Sequence, residues 1–415
     1  MEKGRQVSTF QIIDEVISLQ TYRSLLTKNF STLSSRAYAY RYDRGPHDAI
    51  SYMSAEFSKS KRLFVAEYDF SKFFDTVSHE FLFDRLADPG MKVTSLEKQI
   101  VKNFLESPVL EPQSYGGTAP SQPRIKGIPQ GTSLSLFLAN LAASELDRSL
   151  ELLGVGFVRF ADDTLIWSTS YEQICKAVSS LYEASNRIGA LINEGKSHGI
   201  RLLTSNKEAE ISTTSHIEFL GHRLDLDKIS IKDESLRKIK NRVQELIYTN
   251  LLLEPSRGTQ RADRLTDANA DHDYLTLISQ LRRYLYGSLS ESDLRNFQNG
   301  ALPKMKFDGV MSYFPLVNSK DQLKNLDGWI VNTIWLALRK RARLLKNMGL
   351  EPCQPYGLEK HELIKYKIQS GENGRNILDL RIPSVRRISD VINQAVTAHG
   401  LQVVSDNRTF YNYSE

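Results

Sequence analysis

The sequence of 415 residues contains little cysteine and no long apolar segment. Two cysteines, Cys175 and Cys353, are too few for a disulfide framework, and no spacing of cysteine and histidine indicates a structural zinc site. No apolar run reaches the roughly 18 residues of a membrane-spanning helix, and the first residues lack the apolar core of a signal peptide. These absences argue against a secreted scaffold, a membrane protein and a zinc module. They predict a cytoplasmic protein that has no membrane partner.

Composition places the chain among ordinary globular proteins. The apolar fraction of 40% and the charged fraction of 25% argue against extensive disorder, and the length predicts two or three packed units. The net charge is +5, and basic residues cluster on three stretches with helical apolar spacing. Such faces suit a groove for a polyanion, although a solvated surface explains any one of them equally well. The clusters are Arg237–Arg242, Arg282–Arg283 and Arg339–Lys346.

Acidic residues follow two predicted strand regions. A buried strand is predicted over Leu63–Tyr68, directly before Asp69. Two short apolar runs flank Asp162 and Asp163, which predicts a β-hairpin with both carboxylates at its turn. The run Ser107–Pro129, rich in proline, glycine and serine, predicts a loop.

Asp69 lies far from Asp162 and Asp163 in the sequence, so only a folded sheet brings the three carboxylates together. Mg²⁺ prefers oxygen ligands, usually one or two carboxylates with phosphates and water. Two such ions about 3.5–4 Å apart stabilise the attacking and leaving oxygens of an in-line phosphoryl displacement. An isolated Asp-Asp pair is more often a simple turn, but a third carboxylate at a strand end favours a metal site.

Short motifs around these carboxylates occur in a characteristic order. They are Glu67–Asp75, Gly127–Ser135, Phe160–Asp163, Asn193–Ser197 and Phe219–His222. In this order and at this spacing they resemble motifs A to E of reverse transcriptases, the palm-domain polymerases that copy RNA into DNA. Upstream, Ala39–Ile50 resembles the fingers segment of bacterial intron-type and retron-type enzymes. Each string alone is a weak signal, whereas all of them in order over about residues 36–224 make a specific resemblance.

The resemblance implies an α+β fold, that of a right-hand polymerase. Its fingers and palm consist of an antiparallel sheet plus helices, and an α-helical thumb follows. The implied domains are the fingers at 1–62, the palm at 63–230 with inserted fingers elements at about 90–128, the thumb at 231–349 and a C-terminal extension at 350–415.

The resemblance also implies the catalytic residues. Asp69, Asp162 and Asp163 are the expected catalytic residues and the ligands of two Mg²⁺ ions, with Mn²⁺ as an alternative metal. The backbone carbonyl of Phe70 is an expected additional ligand. Phe74 occupies the steric-gate position, where an aromatic ring excludes a 2′-hydroxyl and thereby selects deoxynucleotides.

Other residues are expected to bind the nucleotide. Gln130, expected to open a helix, is suited to the sugar and phosphates of the incoming nucleotide. Lys196 is an expected proton donor to the leaving pyrophosphate, although a solvated surface lysine explains it equally well. Arg41 and Arg44 are expected to contact the triphosphate or the template backbone. Intron-type relatives carry a basic segment near Arg5–Glu15, but this stretch contains a single basic residue, which puts the usual fingers contacts in doubt.

The expected function is that of an RNA-directed DNA polymerase, which extends a 3′-hydroxyl or a protein primer with dNTPs. Without a zinc-binding endonuclease domain or the Val-Thr-Gly tripeptide of retron thumbs, the chain most resembles defence-associated bacterial enzymes. That resemblance implies a non-coding RNA partner, a DNA product and a role against phage, and leaves the oligomeric state open. Two alternatives remain. One is template-independent or protein-primed synthesis, with Tyr411 or Tyr413 as a conceivable primer. The other is a maturase-like splicing cofactor that binds RNA.

Overall fold

The computed structural model describes residues 8–108, 123–195, 197–206, 211–265, 271–301, 305–370 and 376–404. The chain divides into two compact units, one extending to Ile217 and one beginning at Glu218. Helices combine with antiparallel and mixed sheets, which confirms the predicted α+β class. Within these described ranges, no helix is both long enough and apolar enough to cross a membrane.

In its described part, the first unit packs helices around one sheet. Its helices are α1 (Ile12–Lys28), α2 (Pro46–Phe57), α3 (Phe73–Thr76), α4 (His79–Ala87), α5 (Ser95–Leu105), α6 (Ser133–Leu152) and α7 (Tyr171–Ile188). Its strands are β1 (Leu63–Tyr68), β2 (Gly156–Phe160), β3 (Asp163–Ser168), β4 (Gly199–Leu203) and β5 (Thr213–Thr214). Strand β1 has the predicted bounds. The predicted hairpin is β2–β3.

Strand β1 lies at the centre of the sheet, whose order is β2-β3-β1-β4-β5. It pairs antiparallel with both β3 and β4, and β4 pairs parallel with β5. Helix α7 packs against β1 and β3, while α6 packs against α1, α4, α7 and β2. The apolar side chains between these layers are fully buried, including Phe137 of α6 and Phe157 of β2. This core holds the end of β1 beside the β2–β3 hairpin.

The second unit is mostly helical. Its helices are α8 (Asp233–Ile247), α9 (Leu253–Arg257), α10 (His272–Tyr286), α11 (Glu291–Gln298), α12 (Lys320–Asn347), α13 (Lys360–Leu363) and α14 (Val385–His399). Its strands are β6 (Ile217–Phe219), β7 (His222–Leu224), β8 (Ile229–Ile231), β9 (Lys367–Ser370) and β10 (Asn376–Asp379). Helices α8, α10, α12 and α14 pack together, and a π-helical turn at Tyr248–Leu252 lies among α8, α10 and α12.

Residues 218–230, predicted as the end of the palm, cluster with this helical unit. The described residues of the predicted C-terminal extension belong to the same unit, where α14 contacts α10, α11 and α12. The division into fingers, palm, thumb and extension stays a prediction.

One member of the predicted basic clusters is not on the surface. Arg341 of α12 is 1% exposed. Its guanidinium donates to Asp271 at 2.7 Å and to Asp273 at 2.5 Å, and it also donates to the backbone carbonyl of Leu251 at 2.8 Å. The assignment of Arg341 to a nucleic-acid-binding face was therefore wrong, because this buried ion-pair network uses its charge.

Candidate active site

The three predicted carboxylates lie at the same end of the sheet. Asp69 directly follows β1, whose last residue, Tyr68, pairs with Thr164 of β3. The same register carried one residue further places Asp69 across from Asp163. Asp162 lies in the tight turn of the β2–β3 hairpin. Residues far apart in sequence thus become neighbours through the pairing of β1 with β3.

The exposure of these carboxylates differs. Asp69 and Asp162 are half-buried, and Asp163 is exposed. Across the described ranges of the chain, no three Asp, Glu, His or Cys side chains form a group that could hold a metal ion by themselves. Mg²⁺, however, is usually held by one or two carboxylates together with the phosphates of a substrate. The hard oxygen donors at this edge therefore fit a divalent ion that is shared with a nucleotide.

The backbone after Asp69 has a defined orientation. The N–H of Ser71 donates to the carbonyl of Leu191 at 2.7 Å, and the N–H of Asn193 donates to the carbonyl of Asp69 at 2.8 Å. Because backbone groups of an extended segment alternate in direction, the Phe70 carbonyl points away from residues 191–193. Residues 191–193 lead into β4, and β3 lies on the opposite side of β1. The side chain of Phe70 is buried and has no oxygen, so only its backbone carbonyl can serve as a ligand.

The predicted steric gate lies on a short helix. Phe73 and Phe74 both belong to α3, where Phe73 is buried and Phe74 is half-exposed. The two rings meet edge to face, with their centroids 5.9 Å apart. Because part of the Phe74 ring is exposed, the ring is accessible for contact with the sugar of a nucleotide.

Three hydrogen bonds hold the loop of motif B against motif A and the residues directly after it. The N–H of Gly127 donates to the carbonyl of Val77 at 2.7 Å, and the N–H of Ile128 donates to the carbonyl of Phe74 at 2.5 Å. Nε2 of His79, a buried side chain, lies 2.8 Å from the Gly127 carbonyl and donates to it. The predicted gate and the predicted nucleotide loop are therefore fixed to one another through their backbones.

Gln130 lies in this loop and is half-exposed. It does not open a helix as predicted, because α6 begins at Ser133 with Thr132 as its N-cap. The carbonyl of Gln130 accepts a hydrogen bond from the N–H of Ser8 at 2.8 Å. Lys196 lies outside the described residues.

Arg41 and Arg44 have different environments. The side chain of Arg41 is 2% exposed, and its three nitrogens all donate within the protein, to Asp43 and to the carbonyl of Ser34. Arg44 is more exposed and pairs with Asp43 at 2.9 Å. The geometry favours a structural role for Arg41, whereas the contact of Arg44 with a triphosphate stays a prediction.

Several polar residues that hold this site together were missed from the sequence. Arg159 is buried in β2, beside the Asp162 turn, and it contacts Asp147 and Asn140 of α6. A signal was present, since Arg159 interrupts an apolar strand, and Asn140 and Asp147 lie two turns apart among the apolar positions of α6. His79 gave no comparable signal, because its contact is with a backbone carbonyl.

The sequence matches a family model over this same region. The model, described as reverse transcriptase (RNA-dependent DNA polymerase), matches residues 2–224, just over half of the chain. The chain belongs to the reverse transcriptase family. The predicted family is thereby confirmed, and the residues matched in this reverse transcriptase include nearly all of the first compact unit up to Ile217. No curated protein matches the sequence.

Solved telomerases are among the structures similar to this reverse transcriptase. Telomerase from Candida albicans, in complex with a TWJ fragment of telomeric RNA, has a TM-score of 0.41 and 13% identity, over 81% of this chain and 53% of that one. Apo telomerase from Candida tropicalis has a TM-score of 0.42 and 10% identity, over 81% and 54%. A form truncated from its C-terminal domain has a TM-score of 0.40 and 13% identity, over 53% and 45%. The chain spans about half the length of these telomerases.

Proposed function

We propose that this reverse transcriptase is an active RNA-directed DNA polymerase that extends a 3′-hydroxyl or a protein primer with dNTPs. The observation that carries the proposal is the β1–β3 register, which brings Asp69 beside the Asp162–Asp163 turn. A carboxylate pair used only to make a turn would need no third carboxylate on the neighbouring strand. Membership of the family supports the same reaction.

Asp69, Asp162 and Asp163 are the proposed ligands of two Mg²⁺ ions, with Mn²⁺ as an alternative, and the Phe70 carbonyl is a further oxygen donor. When bound, such a pair of ions stabilises the attacking and leaving oxygens of phosphoryl transfer. The half-burial of Asp69 and Asp162 suits this role, because it limits competition from water.

The remaining side chains position the nucleotide and select its sugar. The ring of Phe74 occupies the space of a 2′-hydroxyl and so disfavours ribonucleotides. Gln130 holds the sugar and phosphates from a loop fixed to the Phe74 carbonyl. Arg44 contributes positive charge toward the triphosphate. Lys196 is kept as the proposed proton donor to pyrophosphate on the resemblance alone.

The proposed template is a dedicated non-coding RNA, and the proposed biological role is defence against phage. Both rest on the resemblance to defence-associated bacterial enzymes. Exposed basic residues support binding of a nucleic-acid backbone, among them Arg283 of α10 and Lys340 of α12. A phage-plaquing assay tests the role: the wild-type locus should reduce plaques, and a locus with Asp162→Asn should not.

The experiment for the reaction is to purify the chain with the RNA that accompanies it. Mg²⁺ and each labelled dNTP or NTP are then added, and both the bound RNA and the product are sequenced. DNA complementary to one discrete RNA supports the proposal. A homopolymer, or DNA unrelated to the RNA, would indicate untemplated synthesis, and tight RNA binding without any product would indicate a maturase-like cofactor. Asp162→Asn is the control for contaminating polymerases.

A further inference from the structure

Arg159 is a fully buried arginine whose guanidinium joins α6 to the catalytic hairpin. Its Nε and Nη2 donate to the two carboxylate oxygens of Asp147, at 2.7 and 2.6 Å. Its Nη1 donates to the side-chain oxygen of Asn140 at 3.1 Å and to the backbone carbonyl of Ala161 at 2.9 Å. Because only 1% of its surface is exposed, Arg159 makes its hydrogen bonds with other protein groups and not with solvent.

Ala161 is the residue that this network holds. It precedes Asp162 in the hairpin turn and has φ +61°, in the left-handed region that costs a non-glycine residue about 1–2 kcal/mol. A residue persists in such a conformation only when its surroundings over-determine it. The hydrogen bond from Arg159 to the Ala161 carbonyl fixes the peptide that leads directly into Asp162.

The other end of the network reaches the segment that resembles the fingers. Nδ2 of Asn140 donates to the carbonyl of Ala39 at 2.9 Å. The next residue, Tyr40, also has a left-handed φ, +62°. The carbonyl of Arg159 accepts from the N–H of Tyr38 at 2.9 Å. Two left-handed non-glycine residues therefore lie at the two ends of one buried hydrogen-bonded network.

We propose that Arg159 is a positioning residue that aims Asp162 by holding the left-handed turn at Ala161, with Asp147 and Asn140 fixing the guanidinium. This inference rests on the proposed metal site. Stability alone does not account for the arrangement, because an apolar pair often stabilises a core as well as a buried ion pair does. An arginine fork supplies something an apolar pair does not, namely several hydrogen bonds with fixed directions.

The test is Mn²⁺ binding by the whole chain without nucleotide, followed by electron paramagnetic resonance. Arg159→Lys keeps the charge, but its single nitrogen does not reproduce the fork to both Asp147 and Ala161. We expect about tenfold weaker Mn²⁺ binding, in the range typical for partners that orient metal ligands. Arg341→Lys is the matched control, since Arg341 is equally buried and paired but belongs to the second unit. It should lower thermal stability and leave Mn²⁺ affinity unchanged.

A second variant keeps the test decisive if Arg159→Lys does not fold. Arg159→Met combined with Asp147→Leu replaces the ion pair with apolar side chains, a change that proteins often tolerate at buried pairs. It also removes the hydrogen bond to the Ala161 carbonyl. It should fold and bind Mn²⁺ about tenfold more weakly. Unchanged Mn²⁺ affinity in a folded Arg159 variant, or an equal loss in Arg341→Lys, would overturn the inference.

Asp162→Asn separates this inference from the proposed metal site. If Asp162→Asn loses Mn²⁺ binding while the folded Arg159 variants keep it, only the positioning role of Arg159 is wrong. If Asp162→Asn binds Mn²⁺ as the wild type does, the metal site itself is wrong.

Discussion

The backbone N–H of Ile128 donates to the carbonyl of Phe74 at 2.5 Å. This bond joins the loop that carries Gln130 to Phe74, the proposed steric gate. The loop is fixed again one residue earlier, where both backbone groups of Gly127 are hydrogen-bonded. A change in either segment therefore displaces the other, and sugar selection and nucleotide binding are expected to respond together.

Replacing Phe74 with valine should admit ribonucleotides. The smaller side chain leaves room for a 2′-hydroxyl, and selectivity for dATP over ATP should fall by about 10- to 100-fold, the range that a change in pocket volume produces. The ratio of kcat/KM values for the two nucleotides measures this. Phe73→Leu is the matched control, because Phe73 is buried and should affect stability but not selectivity. Unchanged selectivity in Phe74→Val would place the gate elsewhere.

Gly127→Ala should weaken nucleotide binding and stability together. Gly127 has φ +85°, and an added Cβ would lie 2.7 Å from the carbonyl oxygen of Asp75, so the loop must move. We expect a loss of about 1–3 kcal/mol in the free energy of unfolding and a higher KM for dNTPs. Gly154→Ala, with φ +68° and nothing within 4 Å of the added Cβ, is the control and should leave KM unchanged. An unaltered KM in Gly127→Ala would show that the loop does not position the nucleotide.

Glu97 should make the first unit sensitive to acid. Burial alone would raise the pKa of Glu97, but hydrogen bonds from Lys28, Thr94 and Ser24 outweigh it and lower the pKa to about 2. A lowered pKa gives stability that is present above the ordinary value of 4.5 and is lost as pH falls toward 2. Glu97→Gln should therefore cost about 1–2 kcal/mol at pH 7.

Urea unfolding of the wild type and Glu97→Gln at pH 7, 5.5 and 3 measures this difference. The difference in the free energy of unfolding between the two proteins should be equal at pH 7 and pH 5.5 and smaller at pH 3. Glu172→Gln, which removes an exposed pair with Lys176, is the control and should show no comparable pH dependence. A difference that does not change with pH would contradict the assignment.

Arg341→Ala should destabilise the second unit strongly. It leaves Asp271 buried without its cationic partner and leaves Asp273 paired only with the partly exposed Arg264. Removal of one member of a buried pair typically costs about 3–5 kcal/mol. Denaturant unfolding followed by hydrogen exchange locates the loss in this unit. Arg343→Ala, an exposed neighbour on the same helix, should change the free energy of unfolding by less than about 0.5 kcal/mol. Equal effects of the two changes would contradict the structural role of Arg341.

Local sequence pattern predicted the parts of the site that depend on adjacent residues. Strand β1 and the hairpin around Asp162 are confirmed because apolar runs and a turn pair are local signals. The start of α6 was misplaced because Gly131 and Thr132 continue the loop beyond Gln130. Arg341 was misassigned because the spacing of charged residues along one helix says nothing about partners on other elements. Its buried acidic partner, Asp271, comes from another element.

This reverse transcriptase is expected to copy RNA into DNA with Asp69 and Asp162 at its catalytic centre. The most direct measurement uses RNA templates that differ only in the first templating base, a DNA primer, Mg²⁺ and one dNTP at a time. The wild type should add the dNTP complementary to each base, and Asp162→Asn should add none while it still binds the primed template. Addition that ignores the templating base, or full activity in Asp162→Asn, would contradict the claim.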